Sequence, residues 1–210
     1  TTGSSQYYIT NDNKLYVNGH NDCQQLGIKS DIDPIFELIK HDISNINIVS
    51  HGISNYYCYT YTTDNKLYCY GNDLPIKINS SNDQFTSYIN TKSLLINHEF
   101  KSTLIQIECG SAHSLFLTLN GYVYGVGSNS VGQLSHTINY NNDRIIPIHE
   151  VNNITQIGCT FETSFVLNKN NTLYTFGSNS DGLLGNELNI RYSPDLQKFK
   201  LNIQYISCGM

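Results

Sequence analysis

A five-residue pattern returns four times along the chain: Leu15-Tyr16-Val17-Asn18-Gly19, Leu67-Tyr68-Cys69-Tyr70-Gly71, Val123-Tyr124-Gly125-Val126-Gly127 and Leu173-Tyr174-Thr175-Phe176-Gly177. The copies are spaced at about 50 residues, the period of one supersecondary unit. A second pattern keeps the same phase: Ile107-Glu108-Cys109-Gly110, Ile157-Gly158-Cys159 and Ile206-Ser207-Cys208-Gly209, with Ile48-Val49-Ser50-His51-Gly52 as a looser first copy. A unit of this size cannot bury its apolar side alone, so two motifs in step demand a tandem array of packed copies.

Within each copy the local chemistry reads as strands and tight turns. Just before each Tyr-containing run stands a pair, Asp12-Asn13, Asp64-Asn65, Asn120-Gly121 or Asn170-Asn171. These residue types tolerate positive φ, which predicts a type I′ hairpin turn at every pair. Strand-like runs flank the pairs, such as Ser114–Leu119 before and Tyr122–Tyr124 after. A Gly-rich reversal follows, Gly127–Leu134 and Gly177–Gly185, with Gln24 replacing the second glycine in Gly19–Gly27. A polar stretch holding Pro34, Pro147 or Pro194 then leads to the next Ile-containing strand. Helical periodicity is absent. About four short strands per copy predict an all-β domain over 1–210, with repeats at 1–46, 47–104, 105–153 and 154–210. Copy two departs after Gly71, where the Gly-Gln-Leu segment is missing and 79–97 reads as an irregular polar stretch.

The order Cys-Gly-x-x-His-Ser-Leu, turn pair, Val-Tyr-x-x-Gly-x-Asn-x-x-Gly-Gln-Leu, seen best over 109–134, resembles the regulator of chromosome condensation (RCC1) repeat. The likeness is good in the fourth copy, fair in the first and fades in the second. The aromatic residue often found before the glycine is Asn18, Tyr70, Val126 and Phe176 here, never Trp. Kelch repeats share the period, but their adjacent double glycine is missing. The resemblance implies a β-propeller of four-stranded blades. Family members are typically seven-bladed, so four copies imply an open arc of a larger ring and a piece of a longer chain. The alternative is a closed small ring, because the chain begins at a hairpin and ends on the strand that precedes one.

Charge and cysteine content narrow the partners. The net charge is −5, and 12 Lys and Arg form no basic stripe, which argues against a nucleic-acid partner. No apolar run of about 18 residues predicts a membrane span. The start of the chain lacks the features of a signal peptide. Six cysteines without a Cys-x-x-Cys pair suggest reduced thiols and an intracellular chain, cytoplasmic or nuclear. Glycosylation sequons at Asn79, Asn153 and Asn170 are expected by chance in so Asn-rich a sequence.

The chemistry-bearing residues read mostly as structure. Cys109, Cys159 and Cys208 hold one repeat position and are expected to pack as small apolar groups rather than converge on a metal. His113 follows Cys109, and His20 precedes Cys23, with no second pair; Ser5, Tyr57 and Thr163 replace His113 in the other copies. Gly125-Val126-Gly127 lacks the third glycine of a phosphate loop, and no Gly-x-Ser-x-Gly occurs. Asp143, Glu150, Glu162 and Asp181 lie in loops, and none stands out. No catalytic, cofactor-binding or metal residue is therefore expected, and no cofactor. Tyr16, Tyr68, Tyr124 and Tyr174 are read as blade packing, while Tyr56, Tyr57, Tyr59, Tyr61 and Tyr140 are candidates for an exposed protein interface. The expected function is a protein-protein interaction module. The resemblance implies an alternative, guanine nucleotide exchange on a small GTPase, which works by differential binding and leaves no covalent motif. A propeller glycosidase or lyase is the least favoured reading.

Overall fold

The computed structural model describes residues 5–28, 30, 32–41, 48–71, 84–88, 91–96, 98–135, 141–186, 190–200 and 202–208. Among these residues every regular element is a strand, and the strands form four antiparallel sheets, one per repeat. The first sheet holds β1 (Ser5–Ile9), β2 (Leu15–Gly19) and β3 (Ile35–Lys40). The second holds β4 (Ile48–Ile53), β5 (Tyr57–Thr62), β6 (Leu67–Gly71), β7 (Gln84–Tyr88) and β8 (Thr91–Ile96), in the order β4-β5-β6-β8-β7. The third is β9 (Leu104–Cys109), β10 (His113–Thr118), β11 (Val123–Ser128) and β12 (Asn141–Pro147); the fourth is β13 (Ile154–Cys159), β14 (Thr163–Asn168), β15 (Thr172–Ser178) and β16 (Tyr192–Lys200). Four-stranded antiparallel meanders repeated along a chain are propeller blades, as the repeat predicts.

Two blades depart from four strands. The first has three, and the second gains a fifth because its stretch after Gly71, expected to be irregular, contains the β7–β8 hairpin. The β8 strand pairs with β6 through Cys69↔Leu94 to Leu67↔Ile96 and so takes the outer place that β12 and β16 take elsewhere.

The hairpin turns are built differently from the sequence expectation. Only the second member of each pair has positive φ: Asn13 57°, Asn65 61°, Gly121 76° and Asn171 56°. In all four the amide of that residue bonds the carbonyl three back, and in the first three the strand pairing closes across Thr10 and Lys14, Thr62 and Lys66, and Thr118 and Tyr122. That is a type I turn followed by one left-handed residue, not a type I′ turn. It is held by a side chain two residues before each pair. The Oγ1 atoms of Thr10 and Thr118 accept from the amides of Lys14 and Tyr122, and Asn168 Oδ1 accepts from the amide of Thr172. The prolines sit in the outermost strands rather than in loops in two copies: Pro147 ends β12 and Pro194 lies in β16. A missing N–H costs least at a sheet edge.

The chain divides into two compact units, Thr1–Phe100 and Lys101–Met210, each with two blades. In the first unit Leu15, Val17, Leu26 and Ile35 pack against Ile53, Cys58, Tyr68 and Tyr70. In the second, Leu115, Leu117, Val123 and Leu134 meet Ile154, Ile157, Val166 and Phe176. Each such side chain contributes roughly 1.5–3 kcal/mol on burial. The second strand of a blade is covered on both faces, so every residue of β5 and β10 is buried. Tyr57, Tyr59 and Tyr61 therefore lie in the core, against the expectation of exposure; Tyr56, in the turn before β5, is exposed.

Candidate functional site

Each blade has two ends. At one lie the tight hairpins just described, nearly identical in all four copies. At the other lie the reversal loops, and these are organised by one asparagine. Asn21 Oδ1 accepts from the amide of Leu26 at 3.0 Å, Asn129 Oδ1 from Leu134 at 2.8 Å, and Asn179 Oδ1 from Leu184 at 3.0 Å. The Nδ2 of each closes the far side of the loop, on the carbonyls of Ile28, Ser135 and Ile190. Gly132 and Gly182 take positive φ of 81° and 74° at the loop apex, and Gln24 takes 59° at the same place, so the substituted residue adopts the glycine conformation. Beyond this clamp the connections diverge in sequence, and copy two, whose sequence lacks the Gly-Gln-Leu segment, has its residues 72–83 outside the described ones.

The innermost strands of the second unit are joined by a device the sequence reading missed. Gln106 Nε2 donates to the carbonyl of Ile157 at 2.9 Å while its Oε1 accepts from the amide of Ile157 at 3.1 Å. Gln156 repeats this on the segment 202–208, donating to the carbonyl of Gln204 and accepting from the amide of Ile206, both at 2.8 Å. Each side-chain amide thus stands in for a peptide group, a splice tying β9 to β13 through Gln106 and β13 to the segment 202–208 through Gln156. The signal was available: Gln106 and Gln156 hold one repeat position, directly before the Ile of the Ile-x-Cys motif.

The cysteines lie on these same strands. Cys159 Sγ approaches the carbonyl of Glu108 at 3.7 Å, and a Cβ on Gly158 would come within 2.5 Å of Cys208 Sγ. The Cys159 and Cys208 thiols therefore each pack against the preceding inner strand, and Cys109 Sγ accepts from Ser114 Oγ of its own blade. Burial pushes Cys109 up to about 12 and Cys208 up to about 11, and raises Cys159 well above the usual thiol range, with the nearby Glu108 carboxylate adding to the shift in all three. Such thiols are protonated and poor nucleophiles. Burial also raises Glu108, against a hydrogen bond from Gln106 that favours its charged form. Among the described residues no three His, Cys, Asp or Glu side chains come together as a metal site would require.

His113 is buried, and its Nε2 meets Ser164 Oγ of the next blade at 2.9 Å; that hydroxyl donates to the carbonyl of Gln133 at 2.7 Å. The histidine is thus tied across the blade boundary, and burial lowers it to about 3. His20 lies at the surface beside Asp33, 3.3 Å away. Glu150, Glu162 and Asp181 occupy separate loops, and Asn153 and Asn170 are exposed. Tyr140 and Asn79 lie outside the described residues, as does the side chain of Asp143. What the reversal-loop end does present is apolar surface: Ile32 is 69% exposed, Phe161 56%, Tyr56 39% and Leu183 38%. Glu162 follows Phe161 in its turn, and Asp181 precedes Leu183 by two residues in its loop.

Comparison with known proteins agrees with this architecture. The profile of the regulator of chromosome condensation (RCC1) repeat matches residues 104–133 and 154–183. The probable E3 ubiquitin-protein ligase HERC4 of Homo sapiens is 32% identical over 107 residues, covering 50% of this chain and 10% of that protein. An RCC1 repeat-containing protein of Dictyostelium discoideum is 29% identical over 136 residues, 60% of this chain and 27% of that one. Among solved structures, human WBSCR16 superposes with a TM-score of 0.78 at 15% identity, covering 100% of this chain and 54% of that chain. Yeast RCC1 (Prp20) bound to Kap60 gives 0.75 at 16% identity, with 98% and 49% covered. The chain spans a tenth of HERC4 and about half of the two propellers.

Proposed function

From a chain that carries RCC1 repeats folded as propeller blades, we propose a protein-recognition module that engages its partner through the reversal-loop ends of the blades. One observation carries the reading: the hairpin ends repeat almost unchanged in backbone, whereas the reversal ends diverge in sequence beyond the Asn clamp. Phe161, Leu183, Tyr56 and Ile32 are exposed there, although Leu119 and Tyr122 are exposed at the hairpins as well. Variable loops on a constant frame are where binding specificity resides. The rest of the repeat's polar chemistry is consumed internally, by turn caps, Asn clamps and Gln splices. The six cysteines are free thiols, which suits a reducing cytoplasmic or nuclear setting. The test is proximity labelling with the intact chain, comparing Phe161→Asp with Leu183→Asp against Leu119→Asp at the hairpin end. Loss of labelled partners in the double variant alone supports the reading; an unchanged set rules out this end as the contact.

Guanine nucleotide exchange on a small GTPase is the second reading. It is favoured by the RCC1 profile match and by the likeness to Saccharomyces cerevisiae Prp20p, a structure described with its binding to Gsp1p and histones. An exchange factor binds the nucleotide-free GTPase better than the loaded one, and this requires only a recognition surface. Release of a fluorescent GDP analogue from a panel of small GTPases, using a folded and cooperatively melting sample, decides it. Faster release from one member establishes exchange; no acceleration leaves recognition without exchange.

A further inference from the structure

We propose that the hairpin end of the fourth blade is a second binding site, one that takes an acidic peptide segment. A cleft of about 600 Å³ opens there, walled by Asn168, Asn171, Thr172, Tyr174, Lys198 and Lys200. No carboxylate lines it. Lys198 and Lys200 are alternate residues of the edge strand β16, so both side chains leave the same face. They lie opposite Tyr174 and Thr172 in the ladder. The Lys198 ammonium rests 5.8 Å from the centroid of the Tyr174 ring, which holds it on the cleft wall. Lys169 and Lys101 are exposed at the same end of this unit and add to the positive potential.

The amides between the cations are already arranged. Asn168 Oδ1 accepts from the amides of Asn170 and Thr172, both at 3.0 Å, which fixes the turn. Asn171 Nδ2 reaches Asn202 Oδ1 at 3.4 Å and leaves further donors and acceptors at the rim. Ammonium groups for carboxylates and carboxamides for a peptide backbone describe an acidic peptide. A nucleic acid is disfavoured, since no arginine lines the cleft and the chain as a whole carries −5.

The first two copies show why this end differs. There the turn pair begins with aspartate. Asp64 binds Lys66 at 2.6 Å. Asp12 is held below the usual carboxylate range first by the Thr10 hydroxyl, then by Lys14 and Lys40. Lys40 lies opposite Tyr16 as Lys198 lies opposite Tyr174, so in copy one the equivalent lysine has a turn carboxylate, Asp12, in its field. Copy four has Asn170-Asn171 instead and leaves its lysines to an outside anion.

The experiment is fluorescence anisotropy of the intact chain with a labelled Glu-Gly repeat peptide, with a Gln-Gly peptide as control and oligothymidine as competitor. The expected result is binding of the Glu peptide alone, weakened about tenfold by Lys198→Glu with Lys200→Glu. The equivalent Lys40→Glu should change it less than about twofold, and all variants are surface changes whose folding is checked by circular dichroism. Failure of the folded chain to bind the Glu peptide overturns the proposal. Equal loss in Lys40→Glu also overturns it, as does stronger binding of oligothymidine than of peptide. None of these outcomes bears on the reversal-loop reading, whose test uses substitutions at the opposite end.

Discussion

In the second unit two four-stranded blades share one plan: the same hairpins, the same Asn clamp, the same Gln splice between inner strands. In the first unit the blades have three and five strands, the clamp is seen in the first blade among the described residues, and Ser50 stands where the splicing glutamine would be. Both units nevertheless bury a shared apolar core between their blades. The difference teaches which parts of the repeat set the backbone and which only fill space. Apolar packing tolerates exchange of Leu, Ile, Tyr and Cys. Copy two lacks the Gly-Gln-Leu segment in its sequence, and there the strand that pairs with β6 is β8, the second strand of the β7–β8 pair.

The first unit also buries more histidine. His41 is held near 4 and His51 near 3, chiefly by burial, and half-buried His98 is lowered too; the second unit has His113 near 3. An unfolded chain takes up these protons around pH 6.5, whereas the folded chain stays neutral far below that. Stability is therefore complete above about pH 6.5 and is lost as the pH falls toward 4, by up to ~1.4 kcal/mol per pH unit for each fully buried histidine. Hydrogen exchange followed from pH 7 to 4 should show the first unit losing protection at higher pH. Earlier loss in residues 101–210 would break the comparison.

Next in size is an exchange of apex residues. Gly132→Gln forces a side chain onto a φ of 81° and its Cβ into the Pro194 backbone, and should cost about 3 kcal/mol in a urea melt. The reverse change, Gln24→Gly, relieves a left-handed non-glycine residue and should stabilise by about 0.5–1 kcal/mol. Similar costs in both directions would mean that the two loops are not equivalent. Gln106→Ala and Gln156→Ala each remove two hydrogen bonds to the neighbouring strand and should destabilise by about 1–2 kcal/mol. A change below a few tenths of a kcal/mol would reduce the splice to decoration. The smallest effect is at the caps: Thr10→Val and Thr118→Val should each cost about 0.5–1 kcal/mol, equally in the two units, because the hairpin is common to both.

The hairpin positions, the blade count and the all-β class were legible because they rest on local chemistry repeated in phase. The turn type was misread because Asp-Asn and Asn-Gly suit both arrangements; the Thr or Asn two residues earlier tips the balance by capping the strand end. The exposure of Tyr57, Tyr59 and Tyr61 was misread because a strand covered on both faces shows no alternation. The lysine cleft of the fourth blade was invisible, since it needs β16 beside β15 to bring Lys198 over Tyr174.

The sequence by itself determined that this chain is an array of blades, where each hairpin lies, and that Gln24 stands in for a glycine. Those are properties of residues adjacent along the chain, and the period multiplies their signal. Only the tertiary structure decided which glutamines tie neighbouring segments, which histidine is locked across a blade boundary, and which lysines wall a cleft whose lining holds no carboxylate. Those depend on residues about 50 positions apart in the spliced inner strands, or on opposite strands of one sheet. Such pairs are fixed by packing, and no local propensity records them.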